Sequence, residues 1–121
     1  MARVAWAIVL AAGTLLVGGH ARADDNDIRR AYHSAQQCYV ANGYLYSTFK
    51  KSGDSANADL FNARAKRAFD VANGYATFLH LSREQIEADL NEVTDAELRK
   101  LISDKAYLTQ VAKDCKFQGL M

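Results

Sequence analysis

Two cysteines near opposite ends of the chain constrain the fold more than any other sequence feature. Cys38 and Cys115 are the only cysteines among 121 residues, so only one intramolecular pairing exists. An even number of cysteines in a small exported domain is typical of a disulfide. A bond between them would close a loop of 77 residues, which stabilises the fold by about 4.5 kcal/mol in the chain-entropy model. Two free thiols for redox or metal chemistry are the alternative, but no CxxC pair or neighbouring histidine supports it. We therefore expect a Cys38–Cys115 disulfide.

Residues 1–23 have the pattern of a signal peptide that is removed on export. Arg3 gives a basic start, residues 4–19 are uncharged and mostly apolar, and residues 21–23 carry small residues where signal peptidase reads them. A transmembrane anchor is the alternative, but the apolar stretch is shorter than the roughly 20 residues that cross a bilayer. We expect a single helical domain at 24–121, located in the periplasm or secreted, with no stable membrane anchor after cleavage.

The charge balance bears on possible partners. The formal net charge of the full chain is +1, and loss of Arg3 and Arg22 with the signal peptide brings the domain close to neutral. Nucleic acid and anionic membranes both select a basic surplus, so neither is expected as the main partner. Large aliphatic residues are scarce, while alanine and the six tyrosines are frequent. We therefore expect a thin and closely packed core.

The absence of proline and the abundance of alanine favour helices over strands. A first helix is predicted over 25–51, capped by Asp25 and stopped by Gly53. Its apolar positions follow a helical period with one polar exception, Asn42. The stripe consists of Ile28, Ala31, Ala35, Cys38, Asn42, Leu45 and Phe49.

A second helix is predicted from Asp54 or Ser55 to about Leu79. Its apolar stripe consists of Leu60, Phe61, Ala65, Ala68, Val71, Ala72, Tyr75, Phe78 and Leu79. This stripe is predicted to pack against the first helix as an antiparallel hairpin.

Capping patterns define the remaining helices. Ser82 and Gln85 form a capping box, which predicts a third helix from Arg83. The apolar pattern changes phase over 94–97, which predicts a kink or a restart there. Ser103 or Asp104 then caps a last helix that ends at Gly119. The fold class is therefore predicted as all-α, a small antiparallel bundle of four helices tied by one disulfide.

The pentapeptide Val-Ala-Asn-Gly-Tyr occurs at 40–44 and again at 71–75. A glycine inside a helix costs about 1 kcal/mol relative to alanine, so Gly43 and Gly74 both require an explanation. Close packing of helices is the first explanation, although the antiparallel register keeps the two glycines apart. The second is a shared polar and aromatic groove. The possible binding surface consists of Asn42, Tyr44, Tyr46, Asn73 and Tyr75.

Patterns for catalysis and metal binding are absent from the sequence. Beyond the signal peptide the histidines are His33 and His80, and no HExxH, CxxCH or nucleophile-elbow motif occurs. The acidic residues of the third helix are interpreted as a solvated face. They are Glu84, Glu87, Asp89, Glu92, Asp95 and Glu97. We expect no catalytic residue, no metal and no cofactor, and hence no enzyme.

Two resemblances follow from these patterns. Phe49, Gly53-Asp54, Ala58 and Ala65 resemble the middle of a tetratricopeptide hairpin, although the proline and tryptophan of that family are missing. The chain as a whole resembles small exported all-helical proteins of Gram-negative bacteria with one long-range disulfide and no assigned activity. The likeness rests on Cys38, on Lys51-Ser52-Gly53-Asp54 and on the ending at 114–121. It implies a periplasmic or secreted location and transfers no site residue.

Two functions remain open at this point. We expect a non-enzymatic protein that binds another protein, as an inhibitor or immunity protein or as an envelope accessory factor. The alternative is a carrier of a small apolar ligand, whose wall would include Tyr44, Tyr46, Tyr75 and Phe78. A binding protein needs an exposed apolar patch, whereas a carrier needs an internal cavity.

Overall fold

The computed structural model describes the backbone of residues 2–121 and the side chains of residues 25–121. The predicted signal peptide at 1–23 lies outside the residues whose side chains are described. Four helices follow one another along the chain: α1 (Ala2–Lys51), α2 (Ser55–Phe78), α3 (Arg83–Ser103) and α4 (Lys105–Phe117). The prediction of an all-α bundle of four helices is confirmed. Within the described part of the chain, no helix has both the length and the apolar character that a bilayer span requires.

Helix α1 is the centre of the bundle. It packs against each of the other three helices, while α3 and α4 pack against each other and α2 packs mainly against α1. Helix α1 also runs without a break through Asp25. The predicted cap at Asp25 is therefore wrong for this chain, because a residue inside a helix has no free backbone N–H groups to accept from.

Side-chain caps set the starts of the other three helices. Asp54, Ser82 and Asp104 each accept a hydrogen bond from a backbone N–H in the first turn of α2, α3 and α4. These predicted boundaries are confirmed. The capping box at α3 is only half formed, since Gln85 Nε2 donates to Asp89 Oδ1 at 2.8 Å instead of reaching back to Ser82.

Alanines make most of the contact between α1 and α2. The buried residues of α2 are Ala58, Ala65, Ala68, Ala72 and Ala76. The predicted stripe is wrong at Leu60, which is 43% exposed, and at Phe78, which is 60% exposed. Small side chains at the contact let two helix axes approach closely, which leaves the larger residues at the flanks. The core is thin, as the composition predicts.

The Cys38–Cys115 disulfide forms and fixes α4 on α1 with a Cα–Cα distance of 5.7 Å. Both half-cystines are fully buried. Asn42, one turn after Cys38, donates from Nδ2 to the Cys38 carbonyl at 2.9 Å and to the Leu120 carbonyl at 2.8 Å. Gly119 turns the chain with a φ of +74°, and Leu120 enters the core. The polar exception in the first stripe therefore anchors the C-terminal segment.

Glu97 occupies a core position of α3 between Val93 and Leu101, and only 7% of it is exposed. Its carboxylate accepts from the Tyr107 hydroxyl at 2.6 and 2.8 Å and from Gln37 Nε2. Helix α3 is continuous, so the predicted restart at 94–97 is wrong. The change of phase arises because a glutamate takes a position that an apolar residue would normally fill.

The solvated acidic face predicted for α3 is correct only in part. Glu84, Glu87, Glu92 and Asp95 are exposed. Glu97 is buried, and Asp89 is half-buried and accepts from the Tyr32 hydroxyl at 2.8 Å. Tyrosines of neighbouring helices therefore bind two of the six predicted surface carboxylates.

We expect the double variant Cys38→Ala/Cys115→Ala to lose much of the stability of the fold. The bond closes a loop of 77 residues, and the loss is estimated at about 4.5 kcal/mol because the unfolded chain gains entropy. Urea unfolding of the oxidised wild type and of the variant measures the difference, with reduced wild type as the control. A loss below about 1 kcal/mol would contradict the importance given to this bond.

We expect the free energy of unfolding to fall at alkaline pH because the hydroxyl groups of Tyr32 and Tyr107 must stay protonated in the folded protein. Burial, followed by the bonds to Asp89 and Glu97, raises the pKa of each hydroxyl above its ordinary value of 10.0. In the unfolded chain these tyrosines lose their protons from about pH 10, whereas in the folded protein they retain them to higher pH. Deprotonation therefore favours the unfolded chain, and the free energy of unfolding falls as the pH rises above about 10. Urea unfolding at about pH 8 and about pH 11 should show a smaller loss in Tyr32→Phe/Tyr107→Phe than in the wild type. Equal losses in the two proteins would contradict the assignment.

Candidate binding groove

An open groove of about 780 Å³ lies between α2 and α3, with α1 as its floor. We call it the α2–α3 groove. Its tyrosines are Tyr39, Tyr44 and Tyr46, and its charged residues are Lys51 and Lys66. Its apolar residues and glycine are Val40, Gly43, Ala65, Phe69, Leu98 and Ile102. Its small polar residues are Ser47, Thr48, Asn62 and Thr94.

The arrangement of the helices creates this groove. Helices α2 and α3 meet at the 79–82 connection and then flank the groove at 62–69 and 94–102. Helix α2 packs mainly on α1, and α3 is held by α1 and α4. The two walls therefore stand on opposite sides of α1, and the α1 surface between them remains open.

The walls of the groove carry exposed apolar side chains. Phe69 on α2 and Leu98 on α3 are each 37% exposed, and Ile102 is 59% exposed. Phe69 also contacts Tyr39 on the floor, with ring centroids 5.4 Å apart. Aromatic and aliphatic side chains gathered in a concave surface are typical of a binding site. These three side chains leave apolar surface in contact with water along both walls of the groove.

The rim of the groove is positively charged. Among the described residues that line it, Lys51 and Lys66 are charged and no carboxylate is present. Lys50 adds a third cation beside the groove, because its Nζ donates to the Tyr46 hydroxyl at 3.0 Å. This hydrogen bond raises the pKa of the Lys50 amine. The groove therefore favours an anionic or acidic occupant.

The two repeated glycines lie in different surroundings. A Cβ added at Gly43 or at Gly74 would meet nothing within 4 Å, so close helix packing, the first explanation, is wrong for both. Gly43 lines the floor of the α2–α3 groove, whereas Gly74 is exposed on α2 outside it. Only Gly43 therefore leaves the backbone of a groove open to an approaching ligand.

The structure separates the five residues of the predicted binding surface. Tyr44 and Tyr46 line the α2–α3 groove. Asn42 is fully buried and holds the C-terminal segment, so it lies beneath the surface. Tyr75 packs against the core, and the Asn73 carbonyl accepts from the Thr77 hydroxyl within α2. The two halves of the repeat do not form a shared groove.

Sequence reasoning missed the walls of the groove. Phe69, Leu98 and Ile102 lie outside the predicted surface, as does Lys66 on the rim. A signal for the α3 wall was present, since Leu98 and Ile102 are spaced by four and share one helix face. Leu98 and Ile102 form a second apolar face of α3, which is exposed and lies beside the buried face of this helix.

A smaller cleft of about 330 Å³ lies between α1 and α3, toward the start of α3. It combines Arg29 and His33 with Asp89 and Glu92 above the buried Gln36. Among the described residues, no group of three side chains is placed to hold a metal ion. This cleft is smaller and more highly charged than the α2–α3 groove, and it carries less apolar surface.

Comparisons with models of protein families, with curated proteins and with solved structures find no match to this chain.

We expect Gly43→Ala and Gly74→Ala each to raise the free energy of unfolding by up to about 1 kcal/mol, because alanine is the better helix former. Neither new methyl group meets an atom within 4 Å. The identical local sequence makes the two variants a matched pair, and urea unfolding measures both. If Gly43→Ala alone lowered the free energy of unfolding, its methyl group would be clashing with other atoms of this protein. The floor of the groove at Gly43 would then not be open.

Proposed function

We propose that this chain is a non-enzymatic, exported helical protein that works by binding another protein in the α2–α3 groove. The observation that carries the proposal is the exposed apolar surface formed by Phe69, Leu98 and Ile102 around a concave floor. Burying this surface against a partner would be favourable by about 25 cal/mol for each Å² removed from water.

The charges of the groove support a binding role over catalysis. General acid–base or nucleophilic chemistry needs coupled titratable groups close to the substrate. The charged residues that line the groove are two lysines on its rim, Lys51 and Lys66. The tyrosines whose pKa is raised, Tyr32 and Tyr107, donate to carboxylates that hold the bundle together and lie outside this groove.

The buried disulfide supports export, because such bonds form and persist in oxidising compartments. Together with the signal-peptide pattern at 1–23, it supports a periplasmic or secreted location. An inhibitor or immunity protein and an envelope accessory factor both use a small rigid surface of this kind. These remain the two subtypes of the proposal.

A carrier of a small apolar ligand is the second candidate. The groove volume of about 780 Å³ lies within the range of small-molecule sites, and three tyrosines line it. Two of the four wall residues expected for a carrier, Tyr75 and Phe78, lie outside the groove. The exposure of Ile102 would also leave one side of such a ligand in water. Protein binding fits these observations better.

We expect Ile102→Glu to abolish partner binding, because it places a carboxylate on the apolar wall of the groove. The matched control is Phe78→Glu, since Phe78 lies outside the groove and is 60% exposed, against 59% for Ile102. Native mass spectrometry of each protein, isolated gently from the cells that make it, measures bound mass. The expected result is a stoichiometric protein complex in the wild type and in Phe78→Glu, and its absence in Ile102→Glu.

Two other results of this experiment would contradict the proposal. An extra mass of a few hundred daltons that depends on Ile102 would favour the carrier. A protein complex that survives Ile102→Glu would place the binding surface elsewhere.

A further inference from the structure

We infer that the α2–α3 groove receives an acidic amphipathic helix of the partner protein, which completes the bundle on its open side. This inference rests on the proposed function and specifies the occupant of the same site. It follows from the dimensions of the groove, its apolar walls, its charge and the position of Gly43.

The dimensions fit one face of a short helix. The α1 residues that line the groove extend from Tyr39 to Lys51, which corresponds to about 18 Å of helix at 1.5 Å per residue. The groove is open to solvent along this length. A helix of about three turns would therefore bury one face against the floor and the walls and leave the other face in solvent.

The walls provide contacts on both sides of such a helix. Phe69 comes from α2, while Leu98 and Ile102 come from α3, one turn apart. An amphipathic helix that lies in a groove presents apolar residues at i, i+3, i+4 and i+7 to contacts of this type. The floor between the walls is already a helix, so the occupant would pack helix on helix, as α2 and α3 themselves do on α1.

The charge of the groove selects acidic flanks on the occupant. Lys51 extends from the floor helix and Lys66 from the α2 wall, and both side chains are exposed. The described residues that line the groove include no carboxylate to neutralise them. Complementary charges at the rim of an interface steer association and fix the orientation of the partner. Glutamates or aspartates beside the apolar face would meet these two lysines.

Gly43 gives the occupant access to the backbone of α1. No atom lies within 4 Å of the position that its Cβ would take. The fold gains nothing from this glycine, which costs helix stability relative to alanine. A glycine at the floor of a groove lets the backbone of a ligand approach closely. The loss of helix stability that Gly43 causes is explained if a helix of the partner packs directly over it.

Two synthetic peptides test the inference with the full mature protein. Each is an amphipathic peptide of about 12 residues with leucines at i, i+3, i+4 and i+7; one carries glutamates beside the leucines and the other lysines. Fluorescence anisotropy measures their affinities at low and high salt. We expect the acidic peptide to bind at least about tenfold more tightly than the basic one, with the preference reduced at high salt.

Charge reversal provides the decisive control. In Lys51→Glu/Lys66→Glu the preference should invert, so that the basic peptide binds more tightly than the acidic one. Both side chains are exposed, so the fold should be retained, and circular dichroism checks this. Loss of binding to both peptides by a folded double variant would overturn the assignment of these lysines.

The repeated pentapeptide supplies a second matched control. Gly43→Leu should block the acidic peptide, because its side chain fills the floor of the groove. Gly74→Leu changes the same local sequence outside the groove and should leave binding intact. Equal affinity in the two variants would overturn the inference that the helix packs over Gly43.

The failure of this inference differs from failure of the proposed function. If neither peptide binds but Ile102→Glu still removes a protein partner, the groove binds protein and the acidic helix is wrong. If the protein binds hexadecanoate but neither peptide, and Ile102→Glu removes no protein partner, the carrier function replaces both the proposed function and this inference. If the free protein forms a dimer that Lys51→Glu dissociates, a second copy occupies the groove and the partner helix is wrong.

Discussion

The bond between Cys38 and Cys115 holds in place the part of the bundle on which the candidate site depends. Helix α4 buries Val111 and Cys115 fully and packs Tyr107 and Leu108 partly against the core, so the disulfide adds a covalent tie to a small apolar contact. Once the bond fixes α4 on α1, Tyr107 of α4 is placed to donate to Glu97 of α3. Helix α3 is held directly by α1, through Tyr32 and Gln37, and also by α4 through Tyr107, so the disulfide supports the α3 wall of the groove from one side.

Glu97 also determines which face of α3 meets the solvent. Successive residues of a helix are rotated by about 100°, so a core position at 97 turns 98 and 102 to the side. The carboxylate accepts hydrogen bonds from Tyr107 and Gln37, which come from two other helices. These hydrogen bonds depend on direction, so they favour the rotation of α3 in which the carboxylate faces both partners. That rotation exposes Leu98 and Ile102 to the groove.

Local signals made the helix boundaries predictable, while long-range contacts hid the walls of the site. Asp54, Ser82 and Asp104 cap helices through bonds to residues two or three positions away, so the sequence alone contains the information. The partners of Glu97 lie 60 and 10 residues away, and the change of phase was therefore interpreted as a kink. Leu98 and Ile102 are visible in the sequence as an apolar pair, but they become a wall of a groove only because α2 lies opposite them.

The repeated pentapeptide shows why a local pattern does not define a site. Residues 40–44 and 71–75 have the same sequence and the same helical conformation. Both Tyr44 and Tyr75 pack against the core of the bundle, but only Tyr44 also lines the groove. The two glycines differ in the same way, because Gly43 lies on the central helix between two walls and Gly74 lies on a helix that is itself one of those walls. Since the fold uses neither glycine for close packing, a functional reason is available only for Gly43, where the missing side chain leaves room for a partner.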